Sequence, residues 1–128
     1  MHASGHRFLA TVLKRLCRWY FCCDIPYQAE IDEDVSFLHN AFDVVINPNA
    51  KIQGGTVIHH SVTIERLDST CQAPNIGRNV LIEARAVLLG NITIGDNAKI
   101  GAGAVVLDSV PDNCTAVGVP AKIIPHKQ

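Results

Sequence analysis

Residues 75–106 read NIGRNVLIEARAVLLGNITIGDNAKIGAGAVV, and a large aliphatic side chain returns every six positions, at Ile76, Ile82, Leu88, Ile94, Ile100 and Val106. Two places earlier sits a second residue, small or apolar in most cases: Val80, Ala86, Ile92, Ala98 and Ala104. The same spacing runs upstream through Ile46, Ile52, Ile58 and Ile64, with Val44, Ala50, Thr56 and Val62 two before. It starts at Ile25, Ile31 and Phe37, with Ala29 and Val35 in the secondary positions. Glycine and asparagine gather at the breaks between them, as in Gly54-Gly55, Gly77, Gly90-Asn91, Gly95 and Gly101.

A six-residue period drifts around a helix of 3.6 residues per turn and leaves no coherent stripe. A hairpin meander needs longer alternating strands. Short strands joined by tight corners satisfy the pattern, with two inward residues per side. Three sides close a triangular coil of about 18 residues, and coils stacked about 4.8 Å apart pair backbone with backbone. The expected fold is therefore all-β, a parallel β-helix of hexapeptide repeats. Counting the spacing straight through predicts one interior column of Ile46, Ile64, Ile82 and Ile100, and another of Ile58, Ile76 and Ile94.

Two segments break the count. Phe37 and Ile46 are nine residues apart, so three are extruded around His39–Phe42. Between Ile64 and Ile76, Asp68 and Thr70 fall where apolar residues belong, so residues 65–75 read as a loop leaving the coil. Interruptions in a rigid repeat are places where function collects.

At 128 residues the chain has room for one core. Its charge is uneven. Residues 1–23 hold Arg7, Lys14, Arg15 and Arg18 and no acid, while the remainder holds seven basic and twelve acidic residues. A body of net −5 excludes electrostatic nucleic-acid binding. In residues 1–23, Phe8, Leu9, Val12, Leu13, Leu16 and Trp19 recur at helical spacing, which predicts a short amphipathic N-terminal helix. Its basic residues interrupt any secretory signal, and no run is long enough to span a membrane. The helix either packs on its own subunit or a neighbour, or touches a membrane surface through residues 7–20. The resulting division is 1–23 helix, 24–124 β-helix and 125–128 tail. Cys17, Cys22, Cys23, Cys71 and Cys114 form no CxxC pair, which favours free thiols in a reducing cytoplasm. No metal site is expected. His59-His60 are adjacent without an HxxxxH partner, which argues against a zinc-bridging carbonic anhydrase.

The segments 75–95 and 99–107, closed by Val117-Gly-Val-Pro-Ala-Lys-Ile-Ile124, resemble the serine acetyltransferase branch of the hexapeptide-repeat acyltransferases. The likeness covers residues 24–124. It implies a left-handed coil, against the usual crossover hand, a homotrimer, and acetyl-CoA bound in the groove between subunits. It further implies that His39 is the catalytic base, and that Asp24, fifteen residues before it, is the carboxylate that orients it. The chemistry needs such a pair. A hydroxyl attacks a thioester only as a base removes its proton, imidazole suits that role near neutrality, and a carboxylate fixes the tautomer. Ala84 and Ala102 fall where the pantetheine arm would pass, and Lys122 where a CoA phosphate would lie. His60 is either a corner residue or a contact to substrate or trimer partner.

The chain also departs from that branch. Leu38 replaces an aspartate before the catalytic histidine, and Ala73 replaces a second histidine, both at acceptor-binding positions. Glu65, Glu83 and Arg85 stand for glycines, as does Asp43 before the following strand. The expected function is acetyl-CoA-dependent O-acetylation of a small-molecule or sugar hydroxyl. The alternative is a catalytically inactive β-helix that serves as a scaffold or assembly module.

Overall fold

The computed structural model describes residues 2–69 and 72–126. A helix, His2–Phe21, precedes three stacks of short parallel strands that together form a triangular β-helix. The first face stacks Glu30–Ile31, Lys51–Ile52, Asn75–Ile76 and Thr93–Ile94. The second stacks Ser36–Phe37, Val57–Ile58, Leu81–Ile82, Lys99–Ile100 and Cys114–Val117, with Lys122–Pro125 folding back antiparallel. The third stacks Val45–Ile46, Thr63–Glu65, Val87–Leu89 and Val105–Val106.

Each side sends its aliphatic residue inward. Ile46, Ile52, Ile58, Ile64, Ile76, Ile82, Leu88, Ile94 and Ile100 are all fully buried. Ala50, Ala86, Ala98 and Ala104, also fully buried, occupy secondary positions, which on other sides hold the buried Val44, Val62, Val80 and Ile92. Thr56 is the polar exception. Its Oγ1 donates to the Gly77 carbonyl at 2.9 Å and accepts from the Val80 N–H at 3.2 Å, so the buried hydroxyl is satisfied.

The columns differ from those predicted by an unbroken count. Thr63–Glu65 and Asn75–Ile76 are consecutive sides, so the intervening residues span one corner rather than a whole extra side. Ile46 and Ile64 therefore stack with Leu88 and Val106, not with Ile82 and Ile100. Ile52, Ile76 and Ile94 form a second column, and Ile58, Ile82 and Ile100 a third. The reason is chemical. Arg66, Leu67, Asp68 and Ser69 are exposed, and a repeat carrying those charges cannot line an apolar interior. Thr70, read as part of this loop, and Cys71 lie outside the described residues.

The ends are closed differently. At the C-terminal end the antiparallel pair runs on to Pro125, one residue past the expected boundary, and His126 Nε2 lies 2.8 Å from Thr115 Oγ1. At the other end the helix sets Ala10, Leu13 and Lys14 over Cys23, Ile25, Ala29 and Ile31 across a cleft of about 440 Å³. Cys22 and Cys114 are free thiols.

Thr56→Val tests the buried hydroxyl without changing side-chain volume. It leaves the Val80 N–H and Gly77 carbonyl short of a partner and is expected to lower stability by about 1–3 kcal/mol, with Thr56→Ser losing less. Urea unfolding at fixed protein concentration measures both.

Candidate active site

The corner between the second and third faces carries the chemistry-bearing residues. In the first full coil this corner is the extruded segment, a distorted turn at Leu38–Ala41. His39, Asn40, Ala41 and Asp43 all hold positive φ, between 53° and 57°, although none is glycine. Such a run is strained, and strain of this kind persists where the surrounding structure imposes it. The imposing bonds are Phe42 N–H to His39 O and Val44 N–H to Ala41 O, both 3.1 Å, together with Ser61 N–H to Phe42 O at 2.8 Å.

The next coils continue the edge. Arg85 N–H donates to His60 O at 3.1 Å, and Gly103 N–H donates to Ala84 O at 2.9 Å. The structure thus sets His60, Ala84 and Ala102 on successive coils of one edge, with the His39 loop at its head. Lys122 follows Ala121, whose N–H bonds Val105 O, and so lies near the far end of that edge.

His39 is exposed, and its ring meets that of His60 edge-on, with centroids 5.0 Å apart at 88°. The two histidines line an open cleft of about 440 Å³ with Asn40 and Phe42. Among the described residues, no carboxylate, lysine or arginine lines it. His60 Nδ1 is buried without a hydrogen-bond partner. A buried polar atom left this way costs about 1–3 kcal/mol, so its presence beside an open cleft marks a position suited to a ligand or a neighbouring subunit.

Asp24 is placed otherwise. Its backbone bridges to Val45 on the third face, and its Oδ1 lies 3.1 Å from Lys14 Nζ of the helix. No hydrogen bond reaches that oxygen, so attraction to the ammonium group is what engages it. No hydrogen bond joins Asp24 to His39. Leu38 is partly exposed and does not line the His39 cleft. Ala73 is buried on the corner between the third and first faces, beside a different cleft that Lys51, Arg66 and Asn75 help to line. Within one subunit, then, His39 and His60 meet, Ala84 and Ala102 extend their edge, and Ala73 stands apart.

Two participants were not legible as such in the sequence. Phe42 forms a wall of the cleft and is 51% exposed. Glu83 accepts a hydrogen bond from the Ala102 N–H at 3.2 Å, taking up a backbone donor on the edge. The extruded triplet could have flagged Phe42, whereas nothing in the six-residue spacing reveals where a corner carboxylate reaches. Among the described residues, no three histidine, cysteine, aspartate or glutamate side chains are grouped to hold a metal ion.

Residues 73–108 match the model of the bacterial transferase hexapeptide family, six repeats. The chain belongs to the hexapeptide-repeat family, in its serine acetyltransferase branch. A serine acetyltransferase of Buchnera aphidicola subsp. Acyrthosiphon pisum is 40% identical over 124 residues, covering 94% of this chain and 45% of that protein. Soybean serine acetyltransferase complexed with serine superposes with a TM-score of 0.86 at 40% identity, over 95% of this chain and 51% of that one. A serine acetyltransferase in complex with CoA gives 0.85 at 34% identity, over 95% and 50%. The chain thus spans about half the length of the relatives it matches.

Positive φ at Asp43 sets a stability test independent of activity. A β-branched residue is poorly tolerated there, so Asp43→Val is expected to lose about 1–2 kcal/mol. Asp43→Gly is expected to hold or raise the unfolding midpoint, because glycine adopts that conformation without strain.

Proposed function

We propose that this chain is an acetyl-CoA-dependent O-acetyltransferase in which His39 is the general base. The observation that carries this reading is the position of His39: strained, exposed, edge-on to His60, and at the head of an edge whose later corners are the small residues Ala84 and Ala102. A Cβ added at Gly103 would meet nothing within 4 Å, so that edge is open to a narrow chain such as pantetheine. Binding of CoA and of serine by structurally similar serine acetyltransferases supports the same assignment.

The reaction assigns each group a step. A ring nitrogen of His39 takes the acceptor hydroxyl's proton as the oxygen bonds to the thioester carbonyl carbon. Collapse of the tetrahedral species breaks the C–S bond, and the imidazolium returns the proton to the departing thiolate. The products are an acetyl ester and the CoA thiol. Asp24 is the carboxylate we assign to stabilising the imidazolium, which requires it to turn from Lys14 toward the ring. Lys122 is assigned to a CoA phosphate near the far end of the edge. We further propose a homotrimer, supported by the exposure of Phe42, Leu107 and Val119. Light scattering at micromolar concentration is expected to give three chains per particle, and a monomer alone would remove the intersubunit groove.

The proposed acceptor is an uncharged hydroxyl compound such as a sugar rather than free serine. A zwitterion calls for charged partners, and none lines the His39 cleft. Leu38 and Ala73 stand where the family places an aspartate and a histidine, and each lost ionic hydrogen bond costs about 1.5–3 kcal/mol. Phe42 offers a flat apolar surface to a ring.

A second reading, an assembly module without activity, is favoured by Glu83, whose carboxylate already takes the Ala102 N–H. Titration calorimetry with acetyl-CoA separates the two, since the module predicts no binding. For the enzyme, His39→Ala is expected to fold yet lose about 10²–10⁴-fold in turnover. Comparison of kcat/KM for serine and for simple glycosides then decides the acceptor, and efficient turnover of serine with glycosides inert would overturn the choice made here.

A further inference from the structure

The N-terminal helix, His2–Phe21, presents an apolar arc to solvent. At 100° per residue, Phe8, Trp19, Val12, Leu16, Leu9 and Leu13 fall within roughly 140° of its circumference. Phe8 is 73% exposed, Leu9 55%, Leu16 56% and Trp19 85%. The coil covers the adjoining side, which bears Ala10 and Lys14 and reaches Leu13 at the arc's edge. The arc is therefore bordered on one edge by the coil. On the other edge stands Arg15, whereas Arg7 lies nearly opposite the arc's centre.

We infer that this arc lies on the surface of an anionic lipid bilayer, parallel to the membrane plane. Charge decides the occupant. Residues 1–23 contain Arg7, Lys14, Arg15 and Arg18 and no acid, and Asp24 pairs with Lys14. A second copy of the helix would bring the same cations against these, with no carboxylate of its own to offset them. A lipid surface supplies negative charge beside Arg15, within a Debye length of the helix's other cations, and hydrocarbon beneath the arc. Trp19 suits that boundary, with an apolar ring and one N–H donor. Among the described residues no helix is long and apolar enough to cross a membrane, so the geometry is that of a helix lying on the surface.

Trp19 is the only tryptophan in the chain, so its emission reports this face alone. The test uses the full chain and vesicles of phosphatidylcholine, either pure or with about one-third phosphatidylglycerol. Mixed vesicles are expected to sediment the protein and shift Trp19 emission to the blue, with binding at least tenfold weaker on pure phosphatidylcholine. Binding is expected to fall at least tenfold in Arg7→Glu/Arg15→Glu and in Leu16→Asp, and to fall again as salt is raised. Circular dichroism of these variants checks that the coil is intact. Equal binding to both vesicle types, or no binding, would overturn the inference. So would a particle mass without lipid that is larger for the unaltered chain than for Leu16→Asp, since a second copy would then cover the arc. No outcome depends on acetyl transfer.

Discussion

Stacking of one coil upon the next governs this molecule. Backbone pairing fixes the rise at about 4.8 Å, and three sides must converge on an interior barely wide enough for one ring of aliphatic side chains. Every repeat is thereby held to the same demand: a large aliphatic residue at the centre of the side and a buried residue near the corner, most often alanine or valine. Ile46, Ile64, Leu88 and Val106 meet it on one face, and Ala86 and Ala104 fit the tight positions below them. A core built this way has no slack for an extra residue within a side. Insertions have to leave through corners.

Both insertions do so, with different consequences. The first, at residues 38–43, stays short and is pinned at each end by strands, so its residues are forced into left-handed conformations. That constraint turns the His39 ring toward His60 on the next coil. The second insertion, beginning at Arg66, leaves from another corner and keeps Arg66, Asp68 and Ser69 on the surface. It thereby brings Ala73 to a different edge from His39 within the same subunit. Two segments that read alike in the sequence, as breaks in a period, thus play unlike parts: one builds a cleft under strain, and the other makes a separate surface.

The six-residue period is a local property, and it was legible wherever the chain obeyed it. Inward positions follow directly from it, and Ile76 through Ile100 sit where the spacing puts them. Stacking partners are not local. They depend on how many sides an insertion consumes, and twelve residues from Ile64 to Ile76 can close one corner or two. Only the strand pairing distinguishes these, through Ile64 beside Leu88. The same limit applies to the site. His39 stood out as a polar residue at a break and through a family resemblance. Its contact with His60 depends on the vertical neighbour across a coil, and Asp24's contact with Lys14 depends on how the helix lies over the coil's end. Neither is encoded in spacing.

The Lys14–Asp24 contact also bears on whether the edge can work as a site. Asp24 Oδ1 itself is buried, but with 40% and 35% of the two side chains open to solvent the pair contributes little, since screening and side-chain entropy offset most of the Coulomb gain. Turning Asp24 away from Lys14 is therefore inexpensive, on the order of 1 kcal/mol or less. In the proposed reaction, a positive charge forming on His39 offers the carboxylate a partner shielded from water by bound substrate, where attraction is stronger than at an open surface. Asp24 in that proposed reaction exchanges the Lys14 ammonium for the imidazolium. The helix that exposes its apolar arc on one side thus reaches the proposed proton-transfer machinery from the other, through a contact weak enough to exchange.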